Sequence, residues 1–163
     1  MEIQGEPLEV QVGVLLRQKG IKLALAESCT GGLISHWITN VPGSSDYYLG
    51  GVSAYAYEAK ERLLGVNHAT LAVYGAVSRE TALEMARGAR QVFGAGLSAS
   101  VTGIAGPGGG MPNKPVGLVW IALSAPEGDW AYRYIFDGNR IENKTASACQ
   151  VLRLLVDYLT GSL

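Results

Sequence analysis

The chain has 163 residues, 48% of them hydrophobic and 17% charged, with a net charge of −1. That length gives one domain with a substantial core and is short for two. The near-neutral balance leaves no electrostatic footprint for nucleic acid or an anionic membrane. The longest apolar run, Val116 to Ala125, is too short to span a bilayer, and Met1-Glu2-Ile3-Gln4-Gly5-Glu6 lacks the basic and apolar regions of a signal peptide, so a soluble cytoplasmic protein is expected.

In chain order, Leu8, Val12, Leu15 and Leu16 fall at helical spacing and Gly20 suits a C′ position, which predicts a helix over 7–19. A strand over 22–26 leads into Ala26-Glu27-Ser28-Cys29-Thr30-Gly31-Gly32, and a helix over 31–39 follows with Leu33, Ile34, Trp37 and Ile38 inward. Asn40-Val41-Pro42-Gly43 breaks that helix, and Ser44 to Tyr48 is a loop or short edge element. A second strand covers 50–55, then a helical stretch over 58–64 ends at Gly65. Short helical pieces at 68–74 precede Ser78, an N-cap residue opening a helix to Phe93 with Ala82, Ala86, Ala89 and Phe93 on one face.

Leu97 to Thr102 reads as a strand of small residues entering the loop Gly103-Ile104-Ala105-Gly106-Pro107-Gly108-Gly109-Gly110, which Met111 to Pro115 completes. Val116 to Ser124 is nearly continuously apolar, the mark of a strand buried on both faces. Pro126-Glu127-Gly128-Asp129 reads as a hairpin turn into a half-exposed strand over 130–136. Asn139 with Glu142 resembles a capping box opening a last helix with Ala148, Leu152, Leu155 and Leu159 on one face. Helices alternating with about five strands, one of them antiparallel, predict an α/β fold: a three-layer α/β/α sandwich with a mixed sheet, forming a single domain over 1–163.

Ligands in such sheets lie beyond the carboxyl ends of the strands. The turns after 22–26, 50–55 and 97–102 would therefore bring Ser28, Tyr55, Lys60 and the 103–110 loop into one cleft. The Ser28 turn reads either as a nucleophile-bearing strand-to-helix turn or as a plain glycine turn. Ser28 has no His in a triad pattern, so Lys60 is the available base, provided its amine is neutral, with Tyr55 to relay or orient the proton. Amides of Thr30, Gly31 and Gly32 would form an oxyanion hole. Against this, a lysine within Glu58-Ala59-Lys60-Glu61-Arg62 is ordinarily solvated, and Tyr55 is ordinarily a core residue. Cys29 is a competing nucleophile without a visible partner. His36 and His68 are isolated, and Cys29 and Cys149 form neither a metal pair nor a disulfide framework, so no metal site is expected.

The residues Ala26-Glu27-Ser28-Cys29-Thr30-Gly31-Gly32, Pro42-Gly43-Ser44-Ser45, Tyr55 with Glu58-Ala59-Lys60, Gly75-Ala76-Val77-Ser78, Thr102-Gly103-Ile104-Ala105-Gly106-Pro107 and Lys114-Pro115-Val116-Gly117 run in order across nearly the whole chain. Together they resemble the CinA C-terminal domain, or nicotinamide-nucleotide amidohydrolase (nicotinamide mononucleotide deamidase), family. The resemblance implies hydrolysis of the carboxamide of nicotinamide mononucleotide to nicotinate mononucleotide and ammonia, in pyridine-nucleotide recycling, without metal or cofactor. It implies Ser28 as nucleophile, assisted by Lys60 and Tyr55, and a homodimer or larger homo-oligomer. Gly103, Ile104, Ala105, Gly106 and Gly108, with Arg140, are expected to hold the ribose-phosphate. Tyr57 stands where the family often has a small polar residue such as Asn, and the separate N-terminal domain of longer members is expected to be lacking. A non-catalytic nucleotide-binding or protein-interaction module of the same fold is the alternative.

Overall fold

The computed structural model describes residues 5–163, and the sequence reading of Met1 to Gln4 lies outside the described residues. Six helices and five strands follow in the order α1 (Leu8–Lys19), β1 (Leu23–Glu27), α2 (Leu33–Thr39), β2 (Tyr48–Ser53), α3 (Tyr57–Leu64), α4 (His68–Tyr74), α5 (Arg79–Phe93), β3 (Leu97–Gly103), β4 (Leu118–Ala125), β5 (Gly128–Ile135) and α6 (Arg140–Thr160). The strands form one mixed sheet in the order β2-β1-β3-β4-β5, with β4 running against the other four.

The strand sequences dictate what covers each face. Along β1 and β3 the larger side chains Leu23, Leu25, Leu97 and Val101 point to one side, where they form a core with Leu16 of α1, Ile34 of α2 and Leu152 and Leu155 of α6. The alternate positions are small: Ala24 and Ala26 pack toward Met85 and Ala89 of α5. Period-2 alternation thus separates a bulky face from a close-packed one. On the close face the hydroxyls of Ser98 and Ser100 donate to the α5 carbonyls of Ala86 and Ala82, both at 2.6 Å. Buried hydroxyls so paired avoid the cost of an unmet hydrogen bond. Gly88 of α5 is equally necessary, because a Cβ there would lie 1.9 Å from the Leu64 carbonyl oxygen of α3. No described helix is long and apolar enough to cross a membrane.

Several element boundaries differ from the sequence expectation by one or two residues, and two of the differences stand out. β2 begins at Tyr48 rather than Gly50, with Leu49 left out of register between the Leu23–Tyr48 and Ala24–Gly50 pairs. The hairpin turn is shorter than the four residues expected, since Ala125 already pairs with Gly128 and only Pro126 and Glu127 connect the strands. Gly and Pro mark a turn without fixing how many residues the ladder reclaims. Ser44–Asp46 forms a single 3-10 turn before β2. At α6 the capping box closes as expected: the Asn139 side chain accepts from Glu142 N, and the Glu142 carboxylate accepts from Asn139 N.

Candidate active site

Three parallel strands end level with one another, Glu27 standing opposite Ser53 on one side and Val101 on the other. Pairing continues one residue further, with Ser28 N donating to Val101 O at 3.0 Å and Ala54 N donating to Glu27 O at 2.9 Å. Ser28 and the Ala54–Tyr55 segment are thereby held side by side at the carboxyl edge. Beyond Ser28 the chain reverses, Gly31 N donating to Ser28 O at 3.1 Å. Gly31 and Gly32 adopt φ of 61° and 100°, a region costly for residues with a Cβ. The amides of Cys29, Thr30 and Gly32 donate to no protein acceptor among the described residues, whereas that of Gly31 is engaged in the turn.

Glu27 fixes this turn from below. Its buried carboxylate accepts from Thr30 Oγ1 (2.7 Å) and Ile34 N (2.9 Å) through one oxygen, and from Ser35 N (3.1 Å) and Ser35 Oγ (2.7 Å) through the other. Four bonds to this side chain at the first turn of α2 satisfy donors that would otherwise lack partners. Sequence reasoning did not assign Glu27 a role, although an acid just ahead of a helix start is a visible signal for such a contact.

Lys60 is 0% exposed, and its Nζ lies 3.0 Å from Ser28 Oγ. It also donates to the carbonyls of Ala54 at 2.8 Å and Tyr55 at 3.0 Å. The charged sequence around it is reconciled with burial by helical phase, since Lys60 and Leu64 form the inward face of α3. None of the ion pairs among the described residues involves Lys60. Burial lowers its pKa from the usual 10.5 to about 8, the Cys29 thiol opposing this slightly. The three acceptors around Nζ match the three N–H donors of an ammonium, and loss of one proton leaves a lone pair that can face the hydroxyl of Ser28, a residue 8% exposed.

The other expected site residues divide into those that face the cleft and those that build it. Tyr55 reaches Lys60 through its backbone carbonyl, while its side chain is 63% exposed and its hydroxyl accepts from Arg140 Nη2 at 3.0 Å. Arg140 also donates through Nη1 to Gly106 O at 2.7 Å, so its guanidinium ties the β2–α3 connection to the glycine loop. The Thr30 side chain turns inward to Glu27 and contributes only backbone to the cleft. Within the loop, Ile104 is bonded to Leu118 and Gly117 through its amide and carbonyl, and Ala105 O accepts from the buried Asn143 Nδ2 at 3.0 Å. Gly103 packs where a Cβ would come within 2.7 Å of Val119, and Gly108 is open to solvent. Asn143 was not picked out from the sequence; an amide in the first turn of a helix is the only hint it offers.

Cys29 is buried, and desolvation pushes its thiol up to about 12, which leaves almost no thiolate to act as a nucleophile. Tyr57 lies on the wall of a cleft of about 620 Å³ shared with α4 and residues 111–114, and its hydroxyl accepts from Ala76 N at 3.1 Å. Among the described residues no cluster of three or more His, Cys, Asp or Glu side chains is arranged to hold a metal ion.

Residues 5–159 match the family model of the CinA C-terminal domain. The chain is 53% identical over 144 residues to a CinA-like protein of Geobacter metallireducens, covering 88% of this chain and 35% of the relative. A CinA-like protein of Geobacter sulfurreducens is 53% identical over 145 residues, covering 89% and 35%. The chain thus spans about a third of the length of these relatives. Among solved structures, a competence/damage inducible protein of Agrobacterium tumefaciens superposes with a TM-score of 0.88 at 39% identity, covering 98% of this chain and 99% of that one. A CinA superfamily protein of Klebsiella pneumoniae gives a TM-score of 0.91 at 31% identity, covering 94% and 96%.

Proposed function

The chain belongs to the CinA C-terminal domain family, and on that premise we propose that it hydrolyses the carboxamide of nicotinamide mononucleotide, giving nicotinate mononucleotide and ammonia. The observation that carries this is the buried Lys60 amine 3.0 Å from Ser28 Oγ, with no ion pair and a pKa lowered to about 8. An amine so placed is a base for a hydroxyl that has no histidine partner. The same arrangement costs stability if it does no chemistry, since burying a lysine away from any carboxylate is unfavourable.

In the first half-reaction Ser28 Oγ attacks the carboxamide carbon as its proton passes to Lys60 Nζ. The oxyanion that forms is within the province of the unpaired amides of Thr30 and Gly32, each donor of this kind contributing about 3 kcal/mol in the transition state. Collapse breaks the C–N bond, Lys60 returns the proton to the leaving nitrogen, and ammonia departs from a Ser28 ester. Water then attacks the ester carbonyl as one of its protons passes to Lys60, the ester C–O bond breaks, Lys60 hands that proton to Ser28 Oγ, and nicotinate mononucleotide leaves as the carboxylate. Tyr55, through its carbonyl, holds the Lys60 amine in line, while Arg140 and the Gly103 to Gly108 loop form the wall against which the ribose side of the nucleotide rests.

Incubation of the protein with nicotinamide mononucleotide, followed by chromatography, tests the activity. Equal amounts of nicotinate mononucleotide and ammonia are expected; intact substrate after prolonged incubation would remove this function.

A further inference from the structure

The glycine loop beyond β3 has little main-chain support of its own. Ile104 is bonded to Leu118 and Gly117, but among the described residues no backbone–backbone hydrogen bond involves residues 105–110. Gly106, Gly108, Gly109 and Gly110 lie in that stretch, and glycine has the most conformational freedom to lose on ordering. Two side chains of α6 supply what the main chain does not. Asn143 Nδ2 donates to Ala105 O at 3.0 Å, and Arg140 Nη1 donates to Gly106 O at 2.7 Å. Residues three apart share a helix face, so consecutive loop carbonyls meet the same side of α6. Gly106, which lies between the two peptide planes, adopts φ of 87°, a conformation open chiefly to glycine.

Of the two donors, Asn143 is the fixed one. It is 1% exposed, and its amide is fully used: Nδ2 also donates to Gly138 O at 2.9 Å, while Oδ1 accepts from Gly138 N at 3.0 Å. An oxygen in place of Nδ2 would face two carbonyls, so the amide has one orientation and a carboxylate cannot replace it. The backbone of Asn143 is held too, its N donating to Asn139 O at 2.8 Å and its carbonyl accepting from Ser147 Oγ at 2.6 Å. None of its side-chain bonds reaches Ser28 or Lys60.

We propose that Asn143 is a positioning residue for the reaction: its amide pins Ala105 to α6 and sets the glycine loop where Arg140 grips both Gly106 and Tyr55, so that the substrate meets a ready-made wall. This rests on the amide-hydrolysis function above. Asn143 acts on the loop and not on the Ser28–Lys60 pair, so its loss is read in substrate binding and not in the chemical step.

The test compares wild type with Asn143→Leu, which keeps the volume and removes all three side-chain bonds, by two readouts. Limited digestion with proteinase K, mapped by mass spectrometry, needs no activity: cutting within residues 105–111 should become about tenfold faster while cutting elsewhere is unchanged. Turnover of nicotinamide mononucleotide should show KM raised about tenfold, kcat within about threefold, and the pH dependence of wild type retained. Loop cutting that is unchanged, or raised no more than cutting elsewhere, overturns the proposal, as does a lowered kcat at unchanged KM. If Asn143→Leu does not fold, Gly138→Ala is judged by the same criteria, since its Cβ would lie 3.2 Å from Asn143 Oδ1 and disturbs the amide from its other side. A wild type without turnover removes the hydrolytic function, and the digestion then decides the role of Asn143 by itself.

Discussion

Replacing Lys60 by Met separates its chemical role from its structural one, because Met fills the same channel with an unbranched apolar chain and no titratable group. With a pKa of about 8, the neutral amine makes up about 9% of the lysine at pH 7, about half at pH 8 and about 91% at pH 9. Ammonia release from nicotinamide mononucleotide at saturating substrate should therefore rise about tenfold from pH 7 to pH 9 and then level off. Removal of the base lowers the plateau about 10²- to 10⁴-fold and abolishes the inflection. Stability carries an independent signature. The folded pKa lies below the free value of 10.5, so between about 8 and 10.5 the unfolded chain binds more protons than the folded one. Stability of the wild type then increases with pH across that window, the charged amine being the disfavoured form. Denaturant titrations of Lys60→Met should show that increment gone. A wild-type rate that stays flat from pH 7 to pH 9, or a Lys60→Met rate within about threefold of wild type, would refute the assignment of Lys60 as base.

Three further changes follow from the packing. Glu27→Gln sets an amide NH₂ against N–H or O–H donors on one side of the carboxylate site, destabilising the protein by about 2–3 kcal/mol; an unchanged urea midpoint would contradict this. Gly88→Ala drives a methyl into the Leu64 carbonyl and should cost about 3 kcal/mol or more, lowering the melting temperature by about 6–12 °C, with an unaltered melting curve as the opposing result. Cys29, buried with its thiol pushed up to about 12, should resist iodoacetamide at neutral pH as read by mass spectrometry, and Cys29→Ala should keep its turnover, whereas a loss beyond about 100-fold would return the thiol to the mechanism.

The sheet was legible because its strands announce their environments. The apolar stretch at Val116 to Ser124 has the character expected of a strand covered on both faces, and β4 is buried along nearly all its length. Asn139 and Glu142 announced the start of α6 through spacing that the backbone donors demand. The site was less legible, because burial and orientation are tertiary properties. Glu58-Ala59-Lys60-Glu61-Arg62 looks solvated when read by composition, and only the phase shared by Lys60 and Leu64 brings the amine inside. Tyr55 could be placed near the strand end, but not which of its groups would meet Lys60; the carbonyl does, while the phenol turns outward to Arg140. Asn143 drew no notice because a single polar residue on a long amphipathic helix is ordinary. Its neighbour Ala105 is distant in sequence and close only once α6 lies across the sheet.

The central claim is that Ser28, activated by Lys60, is the nucleophile. Ammonia released from nicotinamide mononucleotide by the wild type and by Ser28→Ala, under identical conditions and with matched circular dichroism, tests it most directly. Loss of the nucleophile should reduce the rate by at least about 10³-fold, while equal rates for the two proteins would contradict the account.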